Sequence, residues 1–199
     1  SDVSHYVRQD TELDAEAQRR GNSVYLPSKV VPMLPESLSN GLCSLKPNVD
    51  RVCLAVEIFL DDNGVKKSHR FIRGIMRSAA RLTYDEVQSV YEGLINEKQL
   101  KLDRGTLHHL FEVYQCRKKL RQLRGTLELH LKERSIKFSE NNQPLEIEIR
   151  QQKEANELIE EFMILANICA AETLEERHKT CVYRVHEPPS TEKLADLAL

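Results

Sequence analysis

The sequence predicts an α+β fold, with a mixed, mainly antiparallel sheet packed by helices. Apolar side chains alternate with other side chains along residues 53–60, which is the pattern of a β-strand. Along residues 103–122 and 151–177 the apolar side chains instead recur every three or four positions, as in helices. Strands and helices mix along the chain without strict alternation, which indicates the α+β class.

The first 52 residues contain little predicted regular structure. We expect a short strand at residues 3–7 and a small helix at residues 12–20. Residues 21–52 are predicted to be irregular, because four prolines leave no room for a long helix. These are Pro27, Pro32, Pro35 and Pro47. A loop of this length inside a compact domain usually serves a function.

A hairpin and a capped helix come next. The hairpin is predicted over residues 53–77 with its turn at residues 61–64, where Asn and Gly tolerate the positive φ of tight turns. Thr83 and Glu86 have the spacing of a capping box, so a helix should begin near Tyr84. The elements expected beyond it are a helix at 103–122, strands at 125–131, 135–138 and 145–149, and a helix at 151–177.

Composition narrows the class of protein. With 40% hydrophobic and 30% charged residues, the sequence predicts a soluble globular protein without a membrane partner. A net charge of −2 argues against a broad basic surface, so any contact with nucleic acid must be local. The five cysteines are widely spaced, and we expect free thiols in a reducing compartment, hence a cytoplasmic protein.

The last predicted helix carries polar residues on a mostly apolar surface. Asn156, Glu160 and Asn167 lie close to one line along this helix, which is expected to be largely buried. They need partners there, because an unpaired buried polar group costs about 1–3 kcal/mol. Either they bond to neighbouring backbone, or Glu160 faces a ligand groove. Its carboxylate would repel phosphate but would accept hydrogen bonds from sugar hydroxyls.

Two tyrosines and one basic cluster are further candidates. Tyr25 lies in a loop-like stretch after two arginines, and Tyr84 lies in the first turn of its helix. Each ring could stack on a nucleic-acid base, or could pack with its hydroxyl bonded nearby. The basic cluster ends the 103–122 helix and either contacts phosphates or is solvated beside the helix dipole. Its members are Arg117, Lys118, Lys119, Arg121 and Arg124.

The sequence shows no hydrolytic centre of its own. It contains no phosphate-binding glycine loop, no G-x-S-x-G motif and no paired His and Cys. It also lacks a tight aspartate cluster for two Mg²⁺ ions, since Asp61 and Asp62 are explained by their turn. We therefore predict neither a catalytic residue nor a metal ligand in this chain.

Three long blocks of sequence carry a resemblance to a known family. They are DVSHYV (2–7), RRGNSVYLPSKVVPMLPESLSNGLCSL (19–45) and ELIEEFMILANICAAE (157–172). Shorter segments support them, namely RLTYDEV (81–87), RGTLEL (124–129) and VYRVHEPP (182–189). In this order they resemble the ribonuclease II / ribonuclease R family, whose catalytic unit is the RNB domain.

The resemblance implies an activity and three substrate-binding residues. Members of the family are hydrolytic, Mg²⁺-dependent 3′→5′ exoribonucleases that act on single-stranded RNA and release nucleoside 5′-monophosphates. By resemblance, Tyr84 stacks on the 3′-terminal base, Tyr25 closes the other side of a short base stack, and Glu160 contacts the RNA near its 3′ end. Stacking would explain tolerance of sequence, and hydroxyl recognition would explain a preference for RNA over DNA.

The resemblance also implies that other parts of the enzyme carry the cleavage chemistry. In the family the metal-binding aspartates precede the segment that begins here at Asp2. Residues 1–199 should therefore be the central portion of a catalytic domain, without the Mg²⁺ ligands, the C-terminal part or the flanking RNA-binding barrels. We expect this chain alone to be inactive and the intact enzyme to be monomeric. Many bacterial members have a phenylalanine where this sequence has Leu129, which weakens the expected clamp on the bases.

Two alternatives stay open at this point. The chain could be a non-catalytic RNA- or partner-binding remnant of the same domain. It could also be a helical interaction module that does not touch RNA.

Overall fold

The computed structural model describes residues 1–103, 105–126, 133–139, 141, 143–150 and 152–197. Its helices are α1 (Glu12–Arg20), α2 (Tyr84–Tyr91), α3 (Thr106–Leu123), α4 (Glu154–Glu176) and α5 (Thr191–Leu197). Its strands are β1 (Val24–Leu26), β2 (Lys29–Val31), β3 (Asp50–Leu60), β4 (Lys66–Arg77), β5 (Glu133–Phe138) and β6 (Pro144–Arg150). Short 3-10 helices lie at Val3–His5 and Glu97–Leu100, and a π-helical turn lies at Ser37–Leu42. The predicted α+β class is confirmed.

The described strands form three separate two-stranded antiparallel sheets. β1 pairs with β2, β3 with β4, and β5 with β6. The β3–β4 hairpin is the longest, and its register sets Asp50 opposite Arg77 and Glu57 opposite Arg70. The predicted hairpin is confirmed, although its first strand begins at Asp50 rather than at residue 53.

The turn of this hairpin is fastened to α3. Gly64 has a φ of +78°, and the Asp61 side chain accepts the backbone N–H groups of Asn63 and Val65 at 3.0 and 2.9 Å. The Arg117 guanidinium donates to the carbonyl of Gly64 at 3.0 Å. This bond connects the turn of the hairpin to α3.

The hydrophobic core lies where α2, α3 and α4 meet. Its buried members are Phe111, Tyr114, Ala155 and Leu158. The rings of Tyr91 and Phe111 stack with their centroids 4.2 Å apart, which joins α2 to α3. The buried residues of α3 lie along the apolar stripe that the sequence predicted for it.

The predicted strand at residues 3–7 is wrong, because Val3–His5 form a 3-10 helix. Asp2 causes the difference. Its side chain is buried and lies 3.2 Å from the Arg73 guanidinium, while its backbone N–H donates to the Val52 carbonyl at 3.0 Å. The chain therefore meets β3 at one point and turns, instead of pairing along it.

The remaining predictions concern the loop at residues 21–52 and the three strands expected beyond α3. Residues 21–52 are not wholly irregular, because they contain the strands β1 and β2. The sequence did not reveal these strands, since three residues are too short to show an alternating pattern. The strand predicted at 125–131 lies mainly outside the described residues, and so does Leu129. The strands predicted at 135–138 and 145–149 are confirmed as β5 and β6.

The chain exposes more surface than a self-contained globule. Its accessible surface is 16053 Å², whereas a compact monomer of 23.0 kDa exposes about 9,600 Å². Large apolar side chains contribute to the excess, for example Leu54 at 49% and Ile75 at 74% exposure on the β3–β4 hairpin. Apolar area that a folded protein usually buries is therefore open to solvent.

Two further findings describe the chain's chemistry. All five cysteines are free thiols, and burial raises the pKa of Cys169. None of the described helices has both the length and the apolar composition that a membrane crossing requires.

Candidate functional site

Tyr84 is the first residue of α2, and local sequence sets where this helix begins. The Thr83 hydroxyl accepts the N–H of Glu86 at 3.3 Å, and the Glu86 carboxylate accepts the N–H of Thr83 at 2.7 Å. That backbone bond also lowers the pKa of Glu86. The capping box is thus confirmed, and it presents Tyr84, which is 48% exposed, at the helix end.

Glu160 lies on the exposed side of α4. Both of its carboxylate oxygens accept hydrogen bonds from the Gln152 amide nitrogen, at 3.0 and 3.1 Å. Asn167 is also exposed, so the prediction that this polar line lies inside a largely buried helix is wrong. The reason is that α4 packs through one face, and apolar residues such as Met163, 60% exposed, lie outside it. The buried residues of α4 are Ala155, Leu158, Glu161, Leu165 and Cys169.

A chain of polar contacts connects the surroundings of Tyr84 and Glu160. Asp85, the residue after Tyr84, accepts a hydrogen bond from the Lys153 ammonium at 2.5 Å. Gln152, the residue before Lys153, holds the Glu160 carboxylate. The N-terminal ends of α2 and α4 are therefore joined; Tyr84 is exposed at the start of α2, and Glu160 is exposed nearly two turns into α4. Sequence analysis missed the three connecting residues, since no local pattern marks a contact between two distant helices.

Gln88 makes the same junction rigid from the inside. Its side chain is 5% exposed, and its amide oxygen accepts the backbone N–H of Ala155 at 3.1 Å. Its amide nitrogen donates to Glu154 at 2.8 Å and to Glu92 at 3.0 Å. One buried side chain of α2 thus satisfies a backbone donor in the first turn of α4, which fixes how the two helices meet.

Tyr25 is the middle residue of β1, opposite Val30 of β2. Its side chain is 78% exposed, so its ring is accessible to a ligand. Within the described part of the chain, no hydrogen bond or ring contact joins Tyr25 to Tyr84 or to Glu160. Tyr84 and Glu160 are thus linked only through contacts of their neighbours, Asp85 with Lys153 and Gln152 with Glu160, and Tyr25 lies on the separate β1–β2 hairpin.

Most of the predicted basic cluster is used inside the protein. Arg117 is buried on the hairpin turn, while Lys118 and Arg121 each donate to a carboxylate of α4 at 2.7 Å. Lys119 and Arg124 are exposed. Arg117, Lys118 and Arg121 thus bind groups of the protein itself, which matches neither of the two predicted alternatives, phosphate contact or solvation beside the helix dipole. The sequence shows that these charges share a helix end, but it does not show that carboxylates of another helix face them.

Tyr114, Lys118 and Glu157 form a partly buried network between α3 and α4. The Tyr114 hydroxyl donates to the Glu157 carboxylate, which also accepts from the Lys118 ammonium at 2.7 Å. Burial and the bond to Glu157 raise the pKa of Tyr114 to about 12, and the same carboxylate raises the pKa of Lys118. Both groups stay protonated near neutral pH, so the network is suited to holding helices together rather than to proton transfer.

A cavity of about 1100 Å³ lies between α2, the Glu97–Leu100 helix and α3. None of the three predicted substrate-binding residues lines it. Glu97, at its wall, accepts the N–H groups of Leu107 at 2.7 Å and His108 at 3.2 Å. Burial alone would raise the pKa of Glu97, but the N–H groups of Gly105, His108 and Leu107 lower it overall. This carboxylate caps α3, whose own N-cap is a glycine.

The described residues do not fit a metal ion. Among them, no three His, Cys, Asp or Glu side chains are grouped closely enough to hold one. Asp61 of the hairpin turn accepts two backbone N–H groups and pairs with Lys67 at 2.9 Å, as its turn predicted. No cleavage step can therefore be assigned to these residues.

Comparison with known proteins gives a consistent result. The RNB domain family matches residues 1–198. Ribonuclease R of Vibrio cholerae serotype O1 is 45% identical over 197 residues, which cover 98% of this chain and 24% of that protein. The chain thus spans about a quarter of that relative's length.

Two solved structures have the same fold. The apo form of Mycoplasma genitalium RNase R superposes with a TM-score of 0.90 at 35% identity, covering 99% of this chain and 31% of that one. The same protein in complex with ribose methylated single-stranded RNA gives a TM-score of 0.90, an identity of 35% and the same coverage.

Proposed function

The chain belongs to the RNB domain family, and we propose that the protein carrying it is a hydrolytic 3′→5′ exoribonuclease. It would act on single-stranded RNA and release nucleoside 5′-monophosphates. The names of the ribonuclease R relatives support this activity, and a solved relative binds single-stranded RNA. In that enzyme this chain supplies residues that hold the substrate.

Three exposed side chains are suited to that task. Tyr84 stacks on the 3′-terminal base and Tyr25 on the far side of a short base stack, each contributing about 1–3 kcal/mol without reading sequence. Glu160 accepts hydrogen bonds from ribose hydroxyls, which DNA lacks at the 2′ position. The observation that carries the proposal is the contact between Asp85 and Lys153, because Tyr84 precedes Asp85 in the chain and Gln152, the partner of Glu160, precedes Lys153.

In this proposal, residues outside this chain carry out the cleavage chemistry. Mg²⁺, when bound in the intact enzyme, supplies the activation of water and phosphate, and its ligands lie outside this chain. We also propose that the intact enzyme is a cytoplasmic monomer. The free state of all five cysteines is consistent with a reducing compartment.

Equilibrium binding to matched single-stranded RNA and DNA oligonucleotides tests the proposal. The chain should bind RNA more tightly than DNA. Glu160→Gln should reduce that preference, while Tyr84→Ala should weaken binding of both polymers by about 5- to 100-fold. The matched controls are Glu176→Gln, which changes an exposed carboxylate in the last turn of α4, and Tyr183→Ala, which removes another exposed ring.

Each outcome bears on a different part of the proposal. Equal binding of RNA and DNA by the unsubstituted chain would contradict hydroxyl recognition by Glu160. Binding of RNA by a longer protein that carries this chain, without any nucleotide release in Mg²⁺, would favour the non-catalytic remnant. Absence of binding to either polymer would favour a module that does not touch RNA.

A further inference from the structure

The Gln152 side chain binds both carboxylate oxygens of Glu160 at the surface of α4. A single amide nitrogen lies at nearly equal distances from both carboxylate oxygens, 3.0 and 3.1 Å. Both side chains are exposed, and Gln152 precedes the first turn of α4, whereas Glu160 lies within the helix. The amide of Gln152 therefore extends along the surface of α4, toward its C-terminal end, to bind this carboxylate.

The position of Gln152 is itself fixed. The next residue, Lys153, is the N-cap of α4, and its backbone N–H donates to the Asn156 side chain at 3.2 Å. The Lys153 ammonium is bound to Asp85 at the start of α2. The residue that follows Gln152 is thus fastened to α4 through its backbone and to α2 through its side chain. This restricts where the Gln152 side chain begins, on the side of the α4 N-terminus.

A held carboxylate is a better ligand than a rotating one. A glutamate has three side-chain torsions, and ordering them on binding costs up to about 2 kcal/mol. The Gln152 amide restricts those torsions before any ligand arrives. It is neutral, so Glu160 keeps its negative charge, and each of its oxygens keeps further lone pairs for hydroxyl donors. The arrangement suits recognition of a sugar rather than of a phosphate.

We propose that Gln152 is a positioning residue for substrate recognition: it orients the Glu160 carboxylate toward ribose hydroxyls and so raises the preference of this site for RNA over DNA. This inference rests on the proposed function of Glu160. It adds a residue whose contribution acts only through that carboxylate.

The test is a double-mutant cycle in which the measured quantity is the ratio of the affinity for RNA to the affinity for DNA. Binding of the same oligonucleotide sequence as RNA and as DNA is measured for the longer protein that carries this chain, unsubstituted and with Gln152→Ala. The RNA-to-DNA affinity ratio should fall about 3- to 10-fold, the range expected for the net contribution of one ordinary hydrogen bond. Gln152→Glu, which has nearly the same shape but repels Glu160, should lower the ratio further.

The cycle separates positioning from other effects. An added negative charge weakens binding of both polymers, but the ratio cancels that contribution. In a Glu160→Gln background, Gln152→Ala should change the ratio less than about 2-fold, because the carboxylate that it orients is gone. Unchanged thermal melting of Gln152→Ala would exclude a general loss of structure.

Two outcomes tell the failures apart. A ratio that falls with Glu160→Gln but stays constant with both Gln152 variants would overturn the positioning role and leave the proposed function intact. A ratio that does not respond to Glu160→Gln would overturn the role of Glu160 itself, and this inference with it.

Discussion

Glu160 and Glu161 are neighbours in α4, yet one side chain is exposed and the other is buried. Glu160 is held at the surface by Gln152, whereas Glu161 is 2% exposed and accepts a hydrogen bond from Arg121 of α3 at 2.7 Å. Because successive residues of a helix point about 100° apart, one step along α4 separates the exposed surface from the helix interface. Glu161 therefore joins α4 to α3, whereas Glu160 stays accessible at the surface.

Arg121→Met should destabilise the fold. It leaves the Glu161 carboxylate buried without its charged partner, and one Glu161 oxygen already has no hydrogen-bond partner among the described residues. The free energy of unfolding should fall by about 2–4 kcal/mol, at the lower end because Arg121 is partly exposed. Urea denaturation measures the change. Lys119→Met, an exposed position on the same helix, is the control and should stay within about 0.5 kcal/mol.

Gly64→Ala should loosen the β3–β4 hairpin from α3. An added Cβ would lie 2.9 Å from the Cys116 Cβ, and the φ of +78° is unfavourable for alanine. We expect a loss of at least about 2 kcal/mol in the free energy of unfolding. Gly74→Ala in β4 meets nothing within 4 Å and should be neutral or stabilising by up to about 1 kcal/mol. Equal effects of the two changes would show that the turn is not packed against α3.

Stability should fall in acid partly through Glu97. Its pKa is lowered in the folded chain by the backbone N–H groups at the start of α3, so the unfolded state binds the proton more readily. This contribution is present above the ordinary glutamate pKa near 4.5 and is lost as the pH falls below it. Denaturation curves at a series of pH values from about 6 to 3 should therefore be less pH-dependent for Glu97→Gln. An unchanged pH dependence would contradict the capping role.

Tyr84→Ala should change the end products of the intact enzyme more than the cleavage step. Under the proposed stacking role, removal of this ring weakens binding of the last few nucleotides, and a short substrate loses the larger share of its contacts. Gel analysis of single-stranded RNA digestion should show longer limit products, with an initial rate on long RNA close to that of the unsubstituted enzyme. Unaltered product lengths would count against a stacking role for Tyr84.

The isolated chain should bind an apolar dye strongly. Its surface of 16053 Å² includes exposed Leu54 and Ile75 on the long hairpin and Val185 near the C-terminal helix. Such an open apolar surface binds anilinonaphthalene sulfonate and favours self-association. Fluorescence titration and sedimentation of the chain check this. Weak dye fluorescence from a stable monomer would mean that these side chains are covered in solution.

Local patterns in the sequence determined the hairpin, the start of α2 and the apolar stripe of α3. Each depends on residues close in the chain. The hairpin follows from the alternation around Leu54 and the turn that ends at Gly64, the start of α2 from the Thr83–Glu86 box, and the stripe of α3 from apolar residues three or four positions apart. The resemblance then singled out Tyr25, Tyr84 and Glu160, whose roles stay predictions. The hairpin, the start of α2 and the stripe of α3 could be predicted from the sequence because each signal lies within a few neighbouring residues.

Only the tertiary structure decided which charges are buried and which residues meet. Arg121 finds Glu161, and Lys153 finds Asp85, across helices that are far apart in sequence. Helical periodicity placed Glu160 and Asn167 on an apolar helix, but it could not tell which face would pack against a neighbour. That choice depends on how α2, α3 and α4 are arranged in space, and contacts between distant segments leave no mark on local spacing.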